Sequence, residues 1–170
     1  MSEIALVIKT TGKNIIQGKI VSLHATEFNE LGHLTGKRFY TPINPQAELP
    51  DFIELFYGLT ADEINDSRTI SEIKEDFLAF ISNKEIVCYD ALSTQAVLER
   101  ELEQPLSNHF IDLKSWVNKK ANLRENDVTH LMHMFKLKDS DFFNFKEEEC
   151  DLCVQLYAKL NSLSHIFCFV

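Results

Sequence analysis

The segment Ile4-Ala-Leu-Val-Ile-Lys-Thr-Thr-Gly12 places a short, β-branched apolar run directly before turn residues. A run of this kind predicts a strand that is buried on both faces. Residues 20–28 then alternate apolar and polar side chains, which predicts a half-exposed strand. After turn chemistry at residues 29–33, residues 38–43 return as a third strand. The N-terminal part of the chain is therefore predicted to form a meander.

Helical spacing replaces strand alternation in the rest of the chain. Apolar residues recur at intervals of three and four between Thr69 and Ser82, which is typical of an amphipathic helix. The predicted elements that follow the meander are a helix at 69–82, a strand at 85–89, a helix at 93–103, an edge strand at 110–111, a helix at 113–119, a helix beginning near Asn126 and a last helix around 152–160. This order predicts a single α/β domain over residues 1–170, with helices on the faces of a mixed sheet.

The composition is that of a folded, acidic protein. Of 170 residues, 45% are hydrophobic and 13 are Phe, whereas 5 are Gly and 4 are Pro, so a disordered or collagenous chain is excluded. The net charge of −9 makes nucleic acid an unfavourable partner, because phosphate backbones are repelled. No apolar run approaches about 18 residues. No signal-peptide pattern opens the chain, so a cytoplasmic location without membrane insertion is expected, with reduced cysteines.

Several segments, taken in order, resemble one known family. Thr10-Thr11-Gly12 follows the first strand, residues 34–45 cover the third strand and its exit, and residues 57–64 resemble a His-Gly-Ile-Thr helix start. Residues 85–90 resemble a strand that ends in His-Asn, and residues 126–137 resemble a later helix with Asn-Ser-Leu-Asp. The chain thus resembles the DnaQ-like 3′–5′ exonucleases of the DEDDh group. The resemblance implies a ribonuclease H-like fold, with a mixed five-stranded sheet and helices on both faces.

The resemblance also implies where a catalytic site would lie. In the family, four carboxylates and one histidine hold two divalent metals about 3.5–4 Å apart. Carried over by position, the first aspartate falls on Val7, the first glutamate on Lys9 and the next aspartate on Thr94. The general-base histidine falls on Asn144 and the last aspartate on Glu149.

These positions depart from the family in a way that disfavours metal binding. Mg²⁺ and Mn²⁺ require oxygen ligands, but Val7 offers none and Lys9 carries an ammonium group. Lys9 could instead bind an anionic group of a ligand, or it could pair with Glu149. A shifted register would give the role of Glu149 to a neighbouring carboxylate: Glu147, Glu148 or Asp151. We therefore expect a chain that is not an enzyme, with no catalytic residue, no metal and no cofactor.

A zinc site is a separate alternative. Cys150-Asp-Leu-Cys153 has the spacing of a zinc knuckle, and His130 and His133 could supply two more ligands. Both pairs lie in segments of helical periodicity, which favours packing of these side chains over metal binding. Cys88, within a predicted strand, is expected to be a small buried hydrophobe.

Two apolar segments predict a contact surface. Phe residues cluster at 142–145, and the sequence given ends in an apolar run that begins at Ile166. Each segment either packs back on the fold or docks on another protein. The candidate interface residues are Phe142, Phe143, Phe145, Ile166, Phe167, Phe169 and Val170.

A fold that lacks its metal ligands is most simply explained by a binding role, because fold and function are separable. The leading hypothesis is an inactive, exonuclease-like adaptor or structural subunit of a multi-protein assembly, and a homodimer is one such assembly. One alternative is a nucleic-acid-binding module without catalysis. The other is a 3′–5′ exonuclease that uses shifted carboxylates, such as Asp90 and those of residues 147–151.

Overall fold

The computed structural model describes residues 2–121 and 148–166. The strands are β1 (Ser2–Thr10), β2 (Ile20–Asn29), β3 (Leu34–Pro42), β4 (Glu85–Cys88) and β5 (Phe110–Asp112). The helices are α1 (Phe52–Tyr57), α2 (Ala61–Asn65), α3 (Ile70–Ile81), α4 (Ala91–Leu102), α5 (Leu113–Ala121) and α6 (Glu148–Ile166). The predicted helix that begins near Asn126 lies outside the described residues.

The strands form one sheet in the order β3-β2-β1-β4-β5, with β1 at its centre. Pairing is antiparallel from β3 to β1, where consecutive strands are joined by residues 11–19, which contain the 3₁₀-helix Ile15–Gln17, and by a turn at residues 30–33. Pairing is parallel from β1 to β5, because helices carry the chain back between the strands. The predicted mixed sheet is therefore confirmed, and it brings the ends of β1 and β4 to the same edge.

The sheet is covered on both faces because β1 alternates between two cores. Ile4 and Leu6 belong to a buried cluster that contains Phe77 of α3. Ala5 lies in a second buried cluster on the opposite face, with Leu156 of α6. Strand residues at even and odd positions point to opposite faces, so both faces of a central strand must be apolar when helices cover both. The prediction of helices on both faces is confirmed.

Strand β2 differs from its prediction, because all of its residues from 20 to 28 are buried. Its polar face carries Ser22, His24 and Thr26, and helix α6 lies over this face. The thiol of Cys150 on α6 donates a hydrogen bond to the backbone carbonyl of His24 at 3.1 Å. Alternation along a strand correctly separates its two faces, but it cannot show that a distant helix covers the polar one.

Capping and turn residues set the bounds of the elements. Thr60 begins α2 and Thr69 begins α3, each in a capping box with the glutamate three residues later. Strand β3 begins earlier than predicted, at Leu34, because Leu34 pairs with Phe28 and extends the ladder to the turn. In residues 2–121 and 148–166, no helix combines the length and apolarity needed to cross a membrane.

Candidate functional site

The end of β1 places two of the residues matched to the family's site on one face of the sheet. Val7 and Lys9 are two residues apart, so their side chains point to the same side, where α6 packs. Val7 packs against the cluster formed by α5 and α6. Glu149 lies in the first turn of α6. The fold therefore brings Val7, Lys9 and Glu149 together.

Lys9 is held by an ion pair and an aromatic ring. Its Nζ lies 3.3 Å from Oε1 of Glu149, and only 10% of its side chain is exposed. The same Nζ lies 5.1 Å from the ring centroid of Tyr57, within the range of a cation–π contact. The Tyr57 hydroxyl donates a hydrogen bond to the Thr10 carbonyl at 3.2 Å, which fixes the ring. Of the two alternatives for Lys9, the structure shows the pairing with Glu149.

A cavity at this point, which we call the closed cavity, is almost filled. Its volume is about 10 Å³. A space of this size holds one water molecule at most. Its lining mixes apolar, aromatic and charged side chains, namely Val7, Lys9, Ser22, His24, Tyr40, Tyr57, Leu59 and Glu149.

Helix α6 is anchored over the sheet by polar contacts of the two residues that follow Glu149. Asp151 accepts hydrogen bonds from the Arg38 guanidinium of β3 at 3.1 and 3.3 Å. The thiol of Cys150 lies between two strands, where it donates to the carbonyls of Ala5 and His24. These contacts join α6 to β1, β2 and β3, so the position of Glu149 depends on three strands.

The cysteines of the zinc-knuckle spacing behave as core residues. Burial raises the pKa of Cys150 well above that of a free thiol and raises the pKa of Cys153 to about 12, so both stay protonated. Cys88 is buried as predicted. Over residues 2–121 and 148–166, no three His, Cys, Asp or Glu side chains are grouped as metal ligands. His130 and His133 lie outside this part of the chain.

Two further candidate residues, Thr94 and Asp90, lie at helix α4. Thr94 is buried on α4, close to the Cys88 thiol. Asp90, one of the shifted carboxylates, caps α4 by accepting from the Ser93 amide at 3.1 Å and lies 3.6 Å from the Lys114 ammonium. Asn144 lies outside the described residues.

The candidate interface also lies largely beyond the described residues. Ile166 ends α6, and the other members of the set fall outside: Phe142, Phe143, Phe145, Phe167, Phe169 and Val170. Their role in a contact surface stays a prediction.

A second feature, which we call the aromatic groove, was not found from the sequence. It has a volume of about 390 Å³ and is lined by Gly12, Lys13, Phe52, Phe56 and Tyr57. The rings of Phe52 and Tyr57 meet edge to face, with centroids 5.9 Å apart. Phe56 is 60% exposed, which is unusual for a large aromatic side chain. The groove follows the Thr-Thr-Gly turn, whose Thr11 hydroxyl accepts a hydrogen bond from the Lys19 amide.

Comparison with known proteins decides the family. The model of the exonuclease family RNase_T matches residues 9–141, which is most of the chain. The chain belongs to the DnaQ-like exonuclease family. The family predicted from the ordered motifs is therefore confirmed.

Curated relatives of this exonuclease-family chain are DNA polymerase III epsilon subunits. The subunit from Buchnera aphidicola is 26% identical over 150 residues, which cover 81% of this chain and 64% of the relative. The subunit from Rickettsia felis is 33% identical over 104 residues, which cover 60% of this chain and 44% of the relative. The chain thus spans between 44% and 64% of the length of these two relatives.

Solved structures support the fold. The nuclease domain of 3′hExo, a DEDDh family member bound to rAMP, aligns with a TM-score of 0.79 over 95% of this chain and 92% of that chain, at 9% identity. Exonuclease X in complex with 5′ overhanging duplex DNA aligns with a TM-score of 0.75 over the same shares, at 14% identity. Such low identities show the fold alone. The predicted exonuclease-type, ribonuclease H-like fold is confirmed.

The prediction that the chain is not an enzyme is contradicted by these relationships. The family is one of exonucleases, and the relatives and structural neighbours carry nuclease or polymerase-subunit names. The prediction extended four substituted positions, Val7, Lys9, Thr94 and Asn144, to the activity of the whole chain. One of these positions, Asn144, lies outside the described residues, so the described residues do not justify that extension.

The metals of the family do not fit the end of β1. The Val7 side chain offers no oxygen, and the Lys9 ammonium lies 3.3 Å from the carboxylate of Glu149. A divalent cation placed there would lie beside a cation in a space of about 10 Å³. The end of β1 therefore does not support hydrolysis through a metal at this position.

Proposed function

We propose that this chain binds the end of a single nucleic-acid strand in the aromatic groove, as an exonuclease-family subunit of a protein assembly. The observation that carries the proposal is the groove itself, with aromatic side chains and a lysine around about 390 Å³. Small-ligand sites generally have volumes of about 300–1,000 Å³. The groove is therefore large enough for a terminal nucleotide, whereas the closed cavity is not.

The lining of the groove suits a single strand. Every base has a π-face, so aromatic side chains stack on bases with little regard to sequence. Phe56 presents an exposed ring for such a contact, and Lys13 supplies a cation for the adjoining phosphate. The net charge of −9 opposes strand binding over the molecule as a whole. We therefore expect moderate affinity that falls as salt rises.

The comparisons support a nucleic-acid partner. Structural neighbours are named as complexes with rAMP and with duplex DNA. The acidic composition predicted the opposite, because net charge averages over the surface and gives no information about one local groove. Removal of nucleotides from a 3′ end is the activity that family membership supports for the bound strand.

A role within a protein assembly has separate support. The curated relatives are named as subunits of DNA polymerase III, and this chain spans only part of their length. Exposed apolar side chains on α1, such as Leu55, offer contact area beside the groove. The adaptor or structural role and the homodimer predicted from the sequence are both forms of such an assembly.

Fluorescence anisotropy with a 5′-labelled 12-nucleotide DNA or RNA strand tests strand binding, with EDTA present to prevent cleavage. We expect Phe56→Ala to weaken binding roughly tenfold, because stacking contributes about 1–3 kcal/mol per base. Leu92→Ala is the matched control, since Leu92 is 81% exposed on α4. Unchanged binding in Phe56→Ala, or equal losses in both variants, would contradict the proposal. Release of mononucleotides from the same strand in Mn²⁺ measures cleavage separately.

A further inference from the structure

The closed cavity places a lysine where the family's metal ligands were expected. We infer that the Lys9 ammonium is a built-in cation, which takes over the counter-charge that a divalent ion would supply to Glu149. In this chain, α6 would then be fixed to β1 without any metal. This inference concerns the closed cavity and does not depend on strand binding in the aromatic groove.

The burial of Lys9 requires a compensating group. A charged side chain that is only 10% exposed loses most of its hydration, so it is stable only when paired. Glu149 supplies the opposite charge at 3.3 Å, and the Tyr57 ring supplies a second favourable contact at 5.1 Å. Together these contacts replace much of the solvent that the ammonium has lost.

The size of the cavity excludes a hydrated divalent ion beside the ammonium. Mg²⁺ keeps near-octahedral coordination at about 2.0–2.1 Å and usually retains several waters. The closed cavity, at about 10 Å³, holds one water at most. A metal could occupy this space only if the Lys9 side chain left, and departure would remove the cation that pairs with Glu149 at 3.3 Å.

The local charges balance without a metal. Val7 contributes no charge, Lys9 contributes +1 and Glu149 contributes −1, so the three positions sum to zero. The next acidic residue on α6, Asp151, is paired with Arg38 of β3. A divalent cation would add two positive charges to a balanced set.

Reversal of the charge at Lys9 tests the inference. Lys9→Glu places two carboxylates together, so we expect a melting temperature in EDTA several degrees below that of the wild type. Addition of Mn²⁺ should restore most of this loss, because a divalent ion replaces the missing cation. The wild type should melt at the same temperature in EDTA and in Mn²⁺. Binding of Mn²⁺, measured by loss of the free-ion electron paramagnetic resonance signal, should appear only in the variant.

Two further variants separate charge from packing. Lys9→Met removes the ammonium but adds no ligand, so its loss of stability should not be recovered by Mn²⁺. The exchanged variant Lys9→Glu/Glu149→Lys should recover stability in EDTA, because it rebuilds the ion pair in reverse. Arg68→Glu is the matched control, since the pair of Arg68 with Asp76 is exposed and its loss should change neither stability nor Mn²⁺ response.

Three results would overturn the inference. The first is a wild type that Mn²⁺ stabilises as much as Lys9→Glu, and the second is a Lys9→Glu variant as stable as the wild type in EDTA. If Lys9→Glu does not fold in either condition, the exchanged variant decides, and failure of that variant to fold is the third. The readouts are stability and Mn²⁺ binding, so they remain valid if no strand binds in the aromatic groove.

Discussion

The closed cavity and the aromatic groove lie on either side of one residue, Tyr57, and they differ in almost every property. The closed cavity has a volume of about 10 Å³ and contains the buried pair of Lys9 with Glu149. The groove has a volume of about 390 Å³ and is lined mainly by aromatic rings. Tyr57 lines both. The pair of Lys9 with Glu149 stabilises the fold, whereas the exposed rings next to Lys13 remain available to a ligand.

This difference separates two features that lie on either side of the end of β1. The ligand positions at Val7 and Lys9 no longer offer oxygen atoms. The Thr-Thr-Gly turn beside them is retained and leads directly into the groove. Substitution of a metal ligand therefore does not by itself remove the surface on which a strand could bind.

Truncation of Tyr57, the residue that separates the closed cavity from the aromatic groove, should have the largest effect on stability and strand binding. Tyr57→Ala loses the ring over Lys9, the hydrogen bond to Thr10 and one face of the groove. We expect the free energy of unfolding in urea to fall by about 3 kcal/mol, as for other large aromatic truncations. Affinity for the labelled 12-nucleotide strand should fall at the same time, by roughly tenfold.

Tyr57→Phe is the control for this experiment, because it keeps the ring and removes only the hydroxyl. Loss of one hydrogen bond should cost about 1 kcal/mol, and strand affinity should not change. The claim that Tyr57 serves both spaces would be wrong if Tyr57→Ala altered stability without altering strand binding, or altered strand binding without altering stability.

Acid should lower the free energy of unfolding by protonating a buried carboxylate that is paired with a lysine. Glu27 is buried on β2, with Lys84 Nζ at 2.6 Å from its Oε2. The Lys84 ammonium beside it holds the pKa of the Glu27 carboxyl below its usual value of 4.5. The unfolded chain therefore binds this proton more readily than the folded one. The stabilisation is complete above the usual pKa and is lost as the pH falls through the lowered one.

Urea denaturation across this range measures the effect. Glu27→Gln cannot titrate at this position, so its stability should fall less steeply than that of the wild type as the pH drops below about 4.5. Parallel pH profiles for the two proteins would show that Glu27 does not contribute to acid sensitivity. Glu48→Gln, which removes a carboxylate at an exposed position, serves as the control variant and should keep the pH profile of the wild type.

The fold was predictable because its signals are local. β-branched runs, turn residues and helical spacing lie within short windows, and most strands and helices of the described residues follow them. Helix α1 is an exception, because no prediction was made for residues 52–57. The covering of β2 was missed because α6 lies more than a hundred residues away in the chain. Periodicity identifies the two faces of a strand but carries no information about which distant element covers each face.

The site was only partly predictable for the same reason. The sequence identified Lys9 and Glu149, but it left open whether they pair, since this depends on how α6 crosses the sheet. The aromatic groove was missed although Phe52, Phe56 and Tyr57 are close in sequence. Their spacing on a short helix is equally compatible with burial. The exposure of the Phe56 ring depends on how α1 lies against the turn at Gly12, and the sequence does not give this position.

The smallest expected effect concerns the charge of the groove. Lys13 is the basic residue that lines it, so Lys13→Ala should lower strand affinity a few-fold and should reduce the slope of log affinity against log salt by about one. Lys159→Ala, at an exposed position on α6, is the matched control and should leave the slope unchanged. Anisotropy titrations from about 50 to 200 mM salt measure the slope. Equal slopes in the wild type and Lys13→Ala would mean that the phosphate lies elsewhere, because a contact with this lysine must release a counterion. In that case only the exposed aromatic rings, and not Lys13, would make the aromatic groove a binding surface that the closed cavity is not.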